Sequence, residues 1–144
     1  MKFDQDPEAG SGGDSMFVKL KDGESIEGTL AGEVRTFYAV FDETKRKSVE
    51  VPKSDANGKF RFKINLIVQK GDGYVVKILE QGAQIYKQFK EMSSEGYNME
   101  RTVVKIKRKG EKLETEYFVM AVPNKIVSDE TFALFKELDL NKLD

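Results

Sequence analysis

Residues 58–68 read GKFRFKINLIV, in which Phe60, Phe62, Ile64, Leu66 and Val68 alternate with Lys59, Arg61, Lys63 and Asn65. A period of two is that of a half-buried strand with its apolar side inward. The same period recurs in VVKIKRKG, where Lys105, Lys107 and Lys109 oppose Val104, Ile106 and Arg108. Upstream, Met16, Val18 and Leu20 alternate, Asp22-Gly23 offers a turn, and residues 25–31 resume the pattern. This predicts a hairpin or a long bent first strand. RTFYAVF, residues 35–41, predicts a strand dense in aromatics. Residues 42–58 carry Pro52, Asn57 and Gly58 with little periodicity, and predict a long mobile loop or ragged hairpin.

Lys70-Gly71-Asp72-Gly73 is a tight-turn signal, followed by a strand over 74–79. Ile85, Phe89 and Met92 then fall at i, i+4 and i+7, the stripe of an amphipathic helix, with Gly96 past its end. Residues 101–109 predict a strand, 110–112 a turn, and 113–122 a strand ending at Pro123. Ser128 or Asp129 can cap a last helix reaching about Leu138, with Phe132, Phe135 and Leu138 on one face. Short antiparallel strands with one helix before the last pair predict a mainly β protein: a five-stranded, OB-fold-like antiparallel barrel with one internal helix and a C-terminal helix. The 144 residues suit one domain. Within it, 1–15 form a flexible leader, 16–123 the barrel with a mobile basic loop at 42–58, and 124–144 the closing helix and tail.

Charge changes the picture more than composition does. The net charge is −1, but it is unevenly spread. Residues 1–33 hold three basic and eight acidic side chains, and residues 113–144 hold three and seven. Between them, residues 44–77 hold nine basic and three acidic, and residues 101–112 hold six and one. Two basic blocks thus lie between acidic ends, and a local patch sets the local field. The absence of Cys and His removes disulfides, thiol nucleophiles, the usual zinc sites and every His-based triad. The carboxylates do not converge in the sequence, and GSGG at 10–13 lacks the Lys-Ser/Thr of a phosphate loop. No catalytic residue, metal or cofactor is expected. No apolar run approaches the ~20 residues of a membrane span, and the leader does not resemble a secretory signal, so a cytoplasmic protein is expected.

Cationic strand faces with aromatics beside them meet both needs of single-stranded nucleic acid. These are cations that replace counterions along the backbone and flat rings on which bases stack. The candidates are Lys59, Arg61 and Lys63; Lys105, Lys107 and Lys109; and Lys45, Arg46 and Lys47 in the long loop. Phe37 and Phe41 share one strand parity and Tyr38 takes the other. Tyr38 and Phe41 stand between a core role and a stacking role, because the strand holds too many aromatics for one core face. Phe60 and Phe62 are expected in the core. Lys105 and Lys107 have a second account, since edge strands carry Lys against aggregation.

These blocks resemble a known family. FVKLKDGESIEGTLAGE (17–33), GKFRFKINLIV (58–68), KILEQG (77–82) and KIKRKGEKLETEYFV (105–119) are similar to successive blocks of the OB-fold single-stranded DNA-binding proteins of tailed bacteriophages and prophages. The resemblance spans about residues 17–123. Its most specific element is the Arg108 to Gly110 turn followed by Thr115 and Tyr117. It implies a non-enzymatic protein that coats single strands in replication, recombination or repair, with replication or recombination proteins as partners. It places Lys59, Arg61, Lys63, Lys105, Lys107 and the strand around Phe37 and Tyr38 along the groove, with Tyr117 as a further stacking ring. Some relatives carry a Cys-rich zinc insertion where this chain has the basic ETKRKSVEVPKSDANGK, so no metal is implied. RNA remains a second ligand, since stacking and phosphate contacts do not distinguish the sugar. The competing expectation is an OB-fold adaptor that binds a protein through the closing helix.

Overall fold

A computed structural model describes residues 16–141 and Leu143; the predicted leader, 1–15, lies outside the described residues. Strands β1 (Ser25–Asp42), β2 (Lys47–Val51), β3 (Lys59–Lys70) and β4 (Gly73–Gly82) precede helix α1 (Ala83–Ser94). Strands β5 (Thr102–Lys109) and β6 (Glu116–Ile126) and helix α2 (Asp129–Lys136) follow. The protein is mainly β, as expected. Its antiparallel sheet runs β4–β3–β1–β5–β6, with β2 paired to the end of β1. No helix among the described residues is long and apolar enough to cross a membrane.

Four differences from the expected arrangement have local causes. Residues 25–31 and 35–41 are one bent strand, broken in register between Ala31 and Arg35. Gly32 takes φ 77° at that bend, a conformation that glycine adopts without steric cost. Met16 to Leu20 does not fold back on β1. Val18 N donates to Ile78 O at 2.9 Å and Ile78 N to Met16 O at 2.7 Å, so this segment lies parallel along the edge of β4. Of the two expectations for residues 42–58 the hairpin holds, and its second arm adds a sixth strand, β2, to the five expected, through the register Phe41–Ser48 and Tyr38–Val51. The last strand starts at Glu116, after a 3-10 turn over Lys112–Glu114, and passes Pro123. Proline is tolerated there because β6 is an edge strand.

The sheet is not closed into the expected barrel: among the described residues β4 and β6 do not pair. Helix α1 fills the gap with side-chain amides. Gln88 Nε2 donates to Tyr117 O at 2.8 Å, Val119 N donates to Gln88 Oε1 at 2.9 Å, and Tyr117 N donates to Gln84 Oε1. Backbone groups of β6 that a closing strand would satisfy are met by two glutamines instead.

Two cores lie on opposite faces of the sheet. The inner one joins Val18, Leu30, Phe62, Ile64, Leu66, Leu79, Val104 and Ile106 to Ile85, Phe89 and Met92 of α1. This is the expected inward row of β3 and the expected stripe of α1. The outer core joins Ile67 of β3 to Val127 and Phe135, with Ala31, Tyr74, Val76, Val103, Phe132 and Leu138 around them. Ser128 Oγ caps α2 by accepting from Thr131 N at 3.1 Å, and the helix lies flat on the outer face. Asn65 Nδ2 donates to Asn141 O at 3.4 Å and Asn141 Nδ2 to Val76 O at 3.4 Å, which carries the tail onward over β3 and β4.

Candidate nucleic-acid interface

The outer face changes character along β3. Ile67 and Asn65 are buried under α2 and the tail, whereas Lys63, Arg61 and Lys59 come out from beneath them. Opposite residues of antiparallel strands share a face. The pairing Arg35–Lys63, Phe37–Arg61 and Ala39–Lys59 therefore sets an aromatic and a cationic row side by side. Phe37 and Phe41 stand four residues apart on this face, about 13 Å of strand, with the small Ala39 between them. Successive cations of β3 are about 7 Å apart, a repeat that the phosphates of a stretched single strand can follow.

Acids on the flanking strands enter the same face. Glu80 of β4 lies directly opposite Lys63; its carboxylate lies 3.8 Å from Lys63 Nζ and accepts from Arg61 Nη2 at 3.4 Å. Glu50 of β2 accepts from Arg35 Nη2 at 2.6 Å. The Arg35 Cζ lies 4.9 Å and the Lys63 Nζ 5.5 Å from the centroid of the Phe37 ring, within cation–π range.

Two recesses flank Arg61. A bay of about 590 Å³ opens between Ala39, Phe41, Ser48, Asp55, Lys59 and Arg61. A groove of about 380 Å³ continues past Gly82 to Gln84, Arg108, Lys112 and Tyr117. Arg61 lines both, so the recesses adjoin, and the far groove has three cations and no carboxylate among its lining residues. Its wall is the β5–β6 turn, which Arg108 braces. The Arg108 guanidinium donates to Leu20 O at 2.7 Å, Gly110 O at 3.2 Å and Thr115 Oγ1 at 3.3 Å. At Gly110, φ is 91° and a Cβ would stand 2.3 Å from Glu114 O, so no other residue fits that turn. The most specific element of the resemblance is thus, in the first place, a turn-building device.

The sequence-predicted residues divide accordingly. Lys59, Arg61, Lys63, Phe37 and Phe41 come together. Tyr38 falls on the inner face, edge-on to Phe60 with ring centroids 5.8 Å apart. Tyr117 points inward opposite Arg108, packs against the inner core and lines the far groove. Lys45, Arg46 and Lys47 form the tip of the β1–β2 hairpin, where Arg46 takes φ 57° and Lys45 N donates to Asp42 Oδ1 at 3.0 Å. Lys105, Lys107 and Lys109 sit elsewhere, alongside Glu27 and Ser25 at the opposite end of β1 and across from Met120, Phe118 and Glu116 of β6. The outer core under α2, with Val103 and Ala31, lies between the two basic rows. Two contributors escaped the sequence reading. Arg35 shares the parity of Phe37 and Phe41 and could have been found from it; Lys112 faces the groove only because of the turn.

Among the described residues no group of three or more Asp, Glu, His or Cys is placed to hold a metal ion. Comparison with protein-family models, with curated proteins and with solved structures finds no match.

Proposed function

We propose that this chain binds single-stranded DNA with little regard to sequence, along a path from the Phe41 bay across Arg61 to the Lys112 groove. The observation that carries the reading is the register that lays Lys59, Arg61 and Lys63 beside Phe37 and Phe41, with a recess at either side. Cations take the phosphates while Phe41 and Phe37 offer faces to unpaired bases. OB-folds bind oligonucleotides across their second and third strands, between the loops that join strands one to two and four to five. With β2 counted as part of the first loop, those places are β3 and β4, the basic hairpin, and the braced turn after β5. The resemblance noted in the sequence extends the proposal to coating of strands in phage replication, recombination or repair, without catalysis.

The adaptor alternative has less support, because the apolar side of α2 is buried on the sheet at Ile67, Val127 and Phe135. Salt-titrated binding of oligo-dT, with duplex and RNA as comparison arms, tests the proposal. Binding should weaken steeply, with about −0.7 in log–log slope for each phosphate neutralised. Undetectable binding at low salt overturns it.

A further inference from the structure

The two exposed-face rings of β1 have different surroundings. Phe41 is 57% exposed, and the adjacent Lys59 has no ion pair among the described residues. Phe37 is half-buried and lies under Arg35 and Lys63. Those cations are themselves held, Arg35 by Glu50 at 2.6 Å and Lys63 by Glu80 at 3.8 Å. Glu80 also takes Arg61 at 3.4 Å, so one carboxylate bridges two cations of the row. The acids come from opposite flanks, β2 and β4, and both lean on the Phe37 half of the face.

On the premise that this face binds single strands, we propose that Glu80, assisted by Glu50, is an internal competitor that latches half of it. The Glu80 carboxylate stands on Arg61 and Lys63 where a phosphate would, since both anions offer paired oxygens to the same donors. Lys63, which Glu80 holds, and Arg35, which Glu50 holds, cover the ring on which a base would stack. A strand therefore engages the Phe41 and Lys59 half directly, but must exchange phosphate for carboxylate to engage the Phe37 half. Affinity is set by the acid as much as by the cations. Cross-strand ion pairs also stabilise sheets, so affinity and thermal stability must be read separately.

The test measures oligo-dT affinity for the full chain and for Glu80→Gln, Glu50→Gln, Phe37→Ala and the Glu80→Gln/Phe37→Ala pair, with a melting curve for each. Removing one like charge this close to bound phosphates should tighten binding about fivefold for Glu80→Gln. The salt slope should steepen by up to about 0.7. Glu50→Gln should gain about twofold, since its pair is more exposed. Phe37→Ala should cost roughly threefold more in the Glu80→Gln background than in the parent, because there Lys63 is free to leave the ring for a phosphate. If Glu80→Gln melts early, Glu80→Thr, a better strand former, repeats the measurement. Equal or weaker binding by the Glu80 variants overturns the latch, and so does an equal cost of Phe37→Ala in both backgrounds. Should neither the parent nor Glu80→Gln bind, the nucleic-acid reading itself falls, whereas a binding parent with an unaltered Glu80→Gln removes the latch alone.

Discussion

Strands β3 and β5 carry the same alternation, three cations on one side and apolar residues on the other, yet the fold gives them different neighbours. Lys59, Arg61 and Lys63 stand next to Phe37 and Phe41, and Arg61 lies between two recesses. Lys105, Lys107 and Lys109 look out beside Glu27, Phe118 and Glu116, on a strand pair that ends at the sheet edge. Both rows lie on the outer face, but they pair with opposite ends of β1 and the α2 core rises between them. What distinguishes them is their neighbours: only beside β3 does the next strand supply aromatics at matching register with a recess alongside, and on the proposed reading that makes it the binding surface. Strand β5 is paired on both sides, by β1 and by β6, so its lysines do not guard a sheet edge, and the acids Glu27 and Glu116 stand beside them.

Charge reversal on each strand in turn should separate the two rows. Arg61→Glu with Lys63→Glu should lower oligo-dT affinity about a thousandfold near 0.1 M salt, a loss of about 4 kcal/mol, and should flatten the salt slope by at least about 1.4. Fluorescence anisotropy across a salt series reads both quantities. An affinity loss under tenfold would mean that β3 is not the strand that holds DNA. The fold should survive, because the inward partners Phe60, Phe62 and Ile64 are untouched.

Next in size is the wall between the rows. Phe135 is buried against Ile67 and stacks edge-on with Tyr74 at 4.9 Å. Phe135→Ala should lower stability by about 3 kcal/mol in urea unfolding, with oligo-dT affinity retained wherever the protein remains folded. A helix that merely rested on the sheet would give less than about 1 kcal/mol, and would return α2 to the list of partner-binding elements.

Much of this was legible in the sequence, and the part that was not has a physical explanation. The inward row from Phe60 to Val68 and the stripe of α1 follow from period alone, because one buried face leaves no other register. The α2 landing site was written less plainly. Leu66-Ile67-Val68, Tyr74-Val75-Val76 and Val103-Val104 break the alternation by being apolar on both sides, the mark of a strand covered on both faces. All three runs converge on the outer core. The open sheet could not be foreseen, because its gap is filled by Gln84 and Gln88 reaching β6 across space, and polar residues on a helix ordinarily signal solvent. The acids within the basic face were hidden for a similar reason: Glu50 and Glu80 are distant in sequence and meet the cations only through pairing.

Reversing charge on β5 should have the least effect. Lys105→Glu with Lys107→Glu should change oligo-dT affinity by no more than about twofold, near 0.4 kcal/mol. Lys105 pairs with Glu27 and Lys63 with Arg35, which sets the nearest members of the two rows eight positions of β1 apart, up to about 26 Å of extended strand. Exposed charges farther apart than the ~10 Å Debye length at 0.1 M salt are largely screened. The residual effect should therefore grow on dilution to about 0.01 M, where the screening length reaches ~30 Å, and vanish at higher salt. A loss that persists at 0.1 M and matches the β3 reversal would show the strand passing over α2 to both rows, and the two strands would then share one function after all.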